Sequence, residues 1–295
     1  MTSQQGGIAL GATGIALMCA MDAVAKALGA DLTAFQVVFV RYLGAALWLA
    51  VWIALTRSGW PRLTDLGRQA LRGVMLVIIA SSFFFAVARL PLAVVAALGM
   101  TAPVYVTLIG ALVFRERVGP GPWIALALGA AGSAVIVFSG ASLDLGANSG
   151  EPLAWGAAML APLAYAVTLA LLKHHSGHEE PAAMTLGQSV IAALFVLPLA
   201  VGDLPVVTAP VAGLATLIGF LGAVGFLLLV NGLRRMPVSV FAVLDYTGLL
   251  WAAIFGFAFF GEVPGLPLWL GGALIVAACV VTARSATPLK TPVTH

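Results

Sequence analysis

Charge is what this sequence has least of. Asp, Glu, Lys and Arg make up 8% of its 295 residues, against 62% that are hydrophobic, whereas soluble domains carry roughly a quarter charged residues. A soluble globular domain is excluded, and the chain reads as an integral membrane protein. Cysteine is nearly absent. Cys19 and Cys279 both fall inside apolar runs, so they read as small core fillers and imply no disulfide framework. Alternating strand patterns are missing as well, because the hydrophobic runs are uniformly apolar, and this excludes a membrane β-barrel. The N-terminal MTSQQGG has no basic segment ahead of a long first apolar run, which predicts a retained helix rather than a cleaved signal.

Signatures of catalysis are equally scarce. No Gly-x-Ser-x-Gly motif and no paired catalytic carboxylates occur, so an enzyme is not expected. The glycine-rich run at 219–225 lies within an apolar span, not after a strand, and does not suggest a phosphate loop. His174, His175, His178, Glu179 and Glu180 have a metal-like composition but none of the paired zinc spacings. They read as a solvated loop. No metal and no cofactor are expected.

What is present is a series of ten apolar stretches. A bilayer-crossing helix needs about 20 largely apolar residues. Stretches 8–28, 35–55, 71–88, 92–114 and 121–139 meet or approach that length, and so do 153–173, 182–200, 211–232, 238–260 and 266–283. The loops between them are short and marked by Pro and Gly.

Residues 89–119 and 235–265 are copies of one another at an offset of 146 positions without a gap. The register superposes Arg89 on Arg235, Pro91 on Pro237, Thr101 on Thr247, Gly110 on Gly256, Phe114 on Phe260 and Glu116 on Glu262. It also carries Gly73 onto Gly219 and Trp123 onto Trp269. Such a register marks an internal duplication. The predicted fold is an all-α integral membrane protein of ten transmembrane helices, as two five-helix repeats at 1–145 and 146–295. Five is odd, so the second copy must insert upside down. Inverted repeats are a transporter architecture with the substrate site near the midplane between them.

The basic residues set the orientation. With a cytoplasmic N-terminus, inside loops collect Arg57, Arg62, Arg68, Arg72, Arg115, Arg117, Lys173, Arg234, Arg235, Arg284 and Lys290, leaving Lys26, Arg41 and Arg89 for the outer half. That bias places both termini in the cytoplasm, as in a bacterial inner membrane. The net charge of +3 is therefore topological rather than a nucleic-acid surface.

The Pro-led fourth stretch ends in Phe114–Arg115–Glu116–Arg117, and its copy ends in Phe260–Gly261–Glu262. With five plus five helices, this resembles the EamA branch of the drug/metabolite transporter superfamily over essentially the whole chain. The resemblance implies an exporter of small metabolites, with the third, fourth, eighth and ninth helices around the pathway. Within the branch it is most similar to YddG-type exporters of aromatic and other large amino acids. Such a carrier works by alternating access, with a small-molecule substrate and the lipid bilayer as its partners and no obligate protein partner. Gly261–Glu262–Val263 replaces the charged Arg-Glu-Arg of the first copy, so the second terminus is not expected to make the same contacts.

Candidate site residues come from matched positions near mid-membrane. Thr101 precedes Tyr105 by four residues and Thr247 precedes Trp251 by four, which puts each pair on one helix face. These four, with Tyr246 beside them, are expected to line a substrate cavity or to pack at a helix crossing. Ser82, Phe85 and Asn231 are candidates on the third and eighth helices, and Asp22, Lys26 and Tyr165 on the first and sixth. Position 22 aligns with Thr168. Asp22 and Lys26 either neutralise one another or take the ammonium and carboxylate of a zwitterionic substrate. Asp245 is a structural acid or a coupling group. Arg41 and Tyr42 read as interfacial anchors. A proton-coupled exporter of lipophilic cations, using Asp22 or Asp245, is the alternative function.

Overall fold

The computed structural model describes residues 3–57, 59–87, 95, 98–99, 101–116, 119–139, 152–177, 179–202, 208–261 and 265–285. Among these residues the chain is helical without strands. The helices are α1 (Ser3–Leu28), α2 (Ala34–Thr56), α3 (Leu66–Val87), α4 (Ala102–Leu112), α5 (Pro120–Ser139) and α6 (Pro152–His175). They continue as α7 (Pro181–Ala200), α8 (Ala209–Arg235), α9 (Val238–Asp245), α10 (Thr247–Phe260) and α11 (Leu266–Ser285). Seven segments are long and apolar enough to cross a membrane, α9 and α10 together forming one, and three shorter apolar helices complete ten. Helix is the expected answer in lipid, where each backbone polar group must find its partner within the segment. Arg89, Pro91, Arg117, His178 and Glu262, used in reading the sequence, lie outside the described residues.

Local chemistry sets the helix ends. Thr33 and Gln36 form a reciprocal capping box at the start of α2. Proline stands in the first turn of α4, α7 and α8, where its missing N–H is not needed. The ninth stretch, expected as one helix over 238–260, is two helices with Tyr246 between them. The Thr247 hydroxyl donates to the Leu244 carbonyl at 2.6 Å, competing with the backbone ladder. At the position 146 residues earlier, Thr101 donates to the Leu98 carbonyl at 2.6 Å, immediately before α4. Both threonines thus take the carbonyl three residues earlier at the start of a helix.

The packing obeys the same register. The α1–α8 contact is mirrored by α6–α3, α2–α8 by α7–α3, and α1–α10 by α6–α4, while α2–α7 and α5–α11 each map onto themselves. A Cβ added at Gly219 would press on Gly44 and Ala45 of α2, and one at Gly73 on Ile191 and Ala192 of α7. Ala45 and Ile191 are themselves 146 apart. The molecule is therefore two inverted five-helix repeats, packed helix against helix across their interface.

Candidate substrate cavity between the repeats

A cavity of about 780 Å³ lies between the repeats, walled by α1, α2, α3, α6 and α8, with Asp245 and Gly248 contributed from the α9–α10 break. Its lining includes matched pairs from the two copies. Cys19 answers Tyr165, Asp22 answers Thr168, Ala80 answers Phe226, and Phe83 answers Leu229, each 146 positions apart. Pairs of this kind put the cavity on the pseudo-two-fold axis, where an inverted-repeat carrier holds its substrate.

Three charges face this space: Asp22 on α1, Arg41 on α2 and Asp245 at the end of α9. Charges at membrane depth are costly unless paired or wetted, and each has such company here. The Arg41 guanidinium acts electrostatically on Asp22 and lies 5.3 Å from the centre of the Tyr42 ring. The Tyr165 hydroxyl donates to Asp245 Oδ1 at 3.1 Å, joining α6 to α9. Thr168 also lines the cavity but donates its hydroxyl to the Ala164 carbonyl at 2.8 Å. Apolar side chains such as Leu76, Ile79, Phe83 and Phe226 supply the remaining walls. The arrangement offers a guanidinium for a carboxylate, two carboxylates for cationic nitrogen, and a broad apolar surface.

Of the candidate residues, the structure brings Asp22, Tyr165 and Asp245 together in this cavity. The others stand elsewhere. Thr101 and Thr247 bond to backbone carbonyls. Tyr105 and Trp251 each pack against the edge of one apolar core, with Trp251 stacked on Phe255 at 5.9 Å. Tyr246 is buried against Gly129 of α5. Ser82 is buried, and Phe85 packs with Ala86 and Ala158. Lys26 places its ammonium 4.4 Å from the centre of the Phe260 ring. Asn231 donates to the Leu227 carbonyl and faces a separate groove of about 470 Å³ beside Trp48 and Trp52. From the ninth stretch the cavity takes Asp245 and Gly248, while Tyr105 and Trp251 pack against an apolar core instead.

Two expectations are corrected. Arg41 and Tyr42 are not interfacial anchors but cavity wall, Tyr42 being buried. The signal was available: an arginine inside an apolar span, carrying the same cost as Asp22. The second correction concerns the loop after α6. Glu179 is only 6% exposed and takes Arg72, itself 0% exposed, in a two-pronged ion pair at 3.0 and 2.8 Å. That loop is a docking point rather than a solvated turn.

An inverted-repeat helical bundle with a charged cavity on its axis is a carrier of the membrane-transporter class. Comparison with known proteins gives the family. The model of the EamA-like transporter family matches residues 5–138 and 153–284, and this chain belongs to that family, within the drug/metabolite transporter superfamily. It is a multi-pass membrane transporter and not an enzyme. It is 29% identical over 273 residues to the pseudopaline exporter CntI of Pseudomonas aeruginosa, covering 90% of this chain and 91% of that protein. It is 28% identical over 263 residues to a riboflavin transporter of Rhizobium johnstonii, covering 85% of this chain and 77% of the other. A solved crystal structure shares the fold at a TM-score of 0.81 and 18% identity, covering 98% of this chain and all of that one.

Proposed function

We propose that this protein exports amino acids with large, chiefly apolar or aromatic side chains from the cytoplasm by alternating access. The observation that carries the reading is one cavity lined by Arg41, Asp22 and a broad apolar wall. Arg41 takes the substrate carboxylate through charge-assisted hydrogen bonds. Asp22 takes the ammonium, and the wall formed by Leu76, Ile79, Phe83 and Phe226 accepts the side chain. The positive-inside bias supports cytoplasmic termini in an inner membrane. The two halves of the family match support a division into repeats at 1–145 and 146–295. That one relative is an exporter supports the direction.

The test is counterflow in proteoliposomes loaded with phenylalanine, leucine or tryptophan. Saturable exchange that falls at least roughly tenfold in Arg41→Gln, as expected for losing a charge-assisted bond, supports the reading. Absence of exchange for every amino acid overturns it.

A second reading has its own observation. Two carboxylates, Asp22 and Asp245, stand against one guanidinium, a surplus of negative charge suited to a lipophilic cation exchanged for protons. Saturable cation flux that follows an imposed pH gradient, and that Asp245→Asn uncouples, selects this reading over the first.

A further inference from the structure

The cavity reaches the α1–α2 turn through Gly29, Leu32 and Ala34, and at the opposite end its lining stops at Leu172 and Leu229. Beyond that end lie polar ties. Arg72 at the start of α3 grips Glu179, which precedes α7, donating from Nη1 and Nη2 to its two carboxylate oxygens at 3.0 and 2.8 Å. Arg72 Nη1 also lies 2.8 Å from His175 Nδ1. Arginine has no acceptor, so Nδ1 accepts and the His175 proton sits on Nε2. Arg68 adds a longer contact to Glu179 at 4.0 Å. One residue past Leu172, the Lys173 ammonium donates to the Leu233 carbonyl at 2.7 Å and also to that of Met236. The Arg72 tie joins the first repeat to the second.

The register shows what the other end has in these positions. Arg72 corresponds to Ile218, Glu179 to Thr33 and Lys173 to Ala27. Ile218 is wholly buried in an apolar cluster with Leu28 and Leu32, and Thr33 is spent in the capping box of α2. In an inverted-repeat carrier the two access states arise by the repeats exchanging conformations. Opening the Arg72 end therefore breaks an ion pair that closing the α1–α2 end does not replace.

We propose that Arg72 and Glu179, with His175 as third member, form a one-sided latch. It biases the empty carrier toward the state closed at the α3 start and open at the α1–α2 turn. Given the orientation proposed above, that state is closed to the cytoplasm. The orientation is needed only to name the side. Separating a buried ion pair is costly while either charge stays dry, and the cost falls once water reaches both halves, so the pair weights the balance between the two states. The pair therefore sets which state rests without locking the cycle. Substrate binding from the latched side must then supply the free energy that opens it.

Cys19 lines the cavity and is a native reporter. In a Cys279→Ala background, a membrane-impermeant thiol reagent is applied to spheroplasts and to inside-out vesicles. A cationic reagent is chosen because Asp22 and Asp245 share the cavity. Wild-type Cys19 should react from one side only, and Glu179→Gln should raise labelling from the other side roughly tenfold, as a shifted population requires. The charge-swapped pair Arg72→Glu with Glu179→Arg should restore one-sided labelling, which a merely structural role would not predict. Wild-type labelling confined to the cytoplasmic side, with the same variant response, keeps the latch and overturns only the orientation. Equal labelling of the wild type from both sides overturns the latch, as does unchanged sidedness in folded Glu179→Gln. Should Glu179→Gln fail to fold, Arg72→Lys, which keeps the charge and loses the two-pronged contact, takes its place under the same outcomes.

Discussion

At the scale of single residues, a transporter is legible where an amino acid is in the wrong solvent. Asp22 and Asp245 stand out in apolar spans, and both line the cavity. Arg41 carries the same signal but has a second explanation, snorkelling to the interface, and sequence alone does not separate the two. Only the position of α2 against the cavity does. The threonines mislead for a related reason. A Thr at mid-span looks like a hydrogen-bond donor for substrate, yet its cheapest partner in lipid is the carbonyl three or four residues earlier, and Thr101, Thr107, Thr168 and Thr247 all take that partner. Tyr165→Phe tests the neighbouring case. It removes the donor to Asp245 and keeps the ring. We expect a rise in substrate KM of roughly five- to tenfold, the scale of one ordinary net hydrogen bond, with unchanged yield of folded protein. A KM within twofold of wild type would show that Asp245 is held by something else.

At the scale of elements, close approach and turn geometry carry the argument. A Cβ on Gly219 would come within 2.6 Å of the Gly44 backbone, where nothing can yield without moving α2. At the matched Gly73 the first atoms met are the Cγ2 and Cβ of Ile191 at 2.5 and 2.9 Å, so only the methyl can turn aside and less of the backbone has to give than at Gly219. Overpacking typically costs about 1–3 kcal/mol. Gly219→Val should fall at the upper end of that range and Gly73→Val at the lower, read as unfolding midpoints in detergent. The reverse order would contradict this account of the interface.

The ends of the fourth helices make a second pair. Arg115 has φ 51° and its match Gly261 has φ 68°, so both copies turn through the left-handed region. In the first copy that turn is followed by Glu116, whose carboxylate accepts from the Val238 and Ser239 N–H groups at 2.8 and 3.2 Å and from the Ser239 hydroxyl at 3.0 Å. It caps α9 from outside the helix, where Pro237 supplies no side-chain cap. The aromatic-x-Glu pattern was visible in the sequence, but its partner was not, because the two groups lie 122 residues apart. Arg115→Gly should stabilise the protein by about 0.5–1 kcal/mol by relieving the strained backbone. Glu116→Ala should cost about 1–2 kcal/mol through the lost cap. A midpoint at or below wild type for Arg115→Gly would refute the first assignment, and one at or above it for Glu116→Ala the second.

At the scale of the whole molecule, the duplication explains more than the helix count. A stretch of sequence announces its own helix through apolar length, but it does not announce which neighbour it chooses. Here the most extensive contacts, α1 with α8, α5 with α11, α2 with α7 and α3 with α6, all cross between the repeats. Lipid offers no hydrophobic drive for helices to associate, so partners are chosen by small-residue contact and polar bonds. The Gly14–Gly225, Gly44–Gly219 and Gly7–Arg235 contacts, like the Arg72–Glu179 pair, all bridge the two copies. Among the described residues, neither half then has a packed interior of its own. Expressed separately, residues 1–145 and 146–295 should each insert but remain protease-sensitive and aggregate on extraction. Expressed together they should co-purify as a one-to-one complex and regain the transport of the intact chain. A first half that is stable and monodisperse alone would mean that its packing is internal. The cavity could not then lie on an axis between the two repeats, and the charged lining would need another explanation.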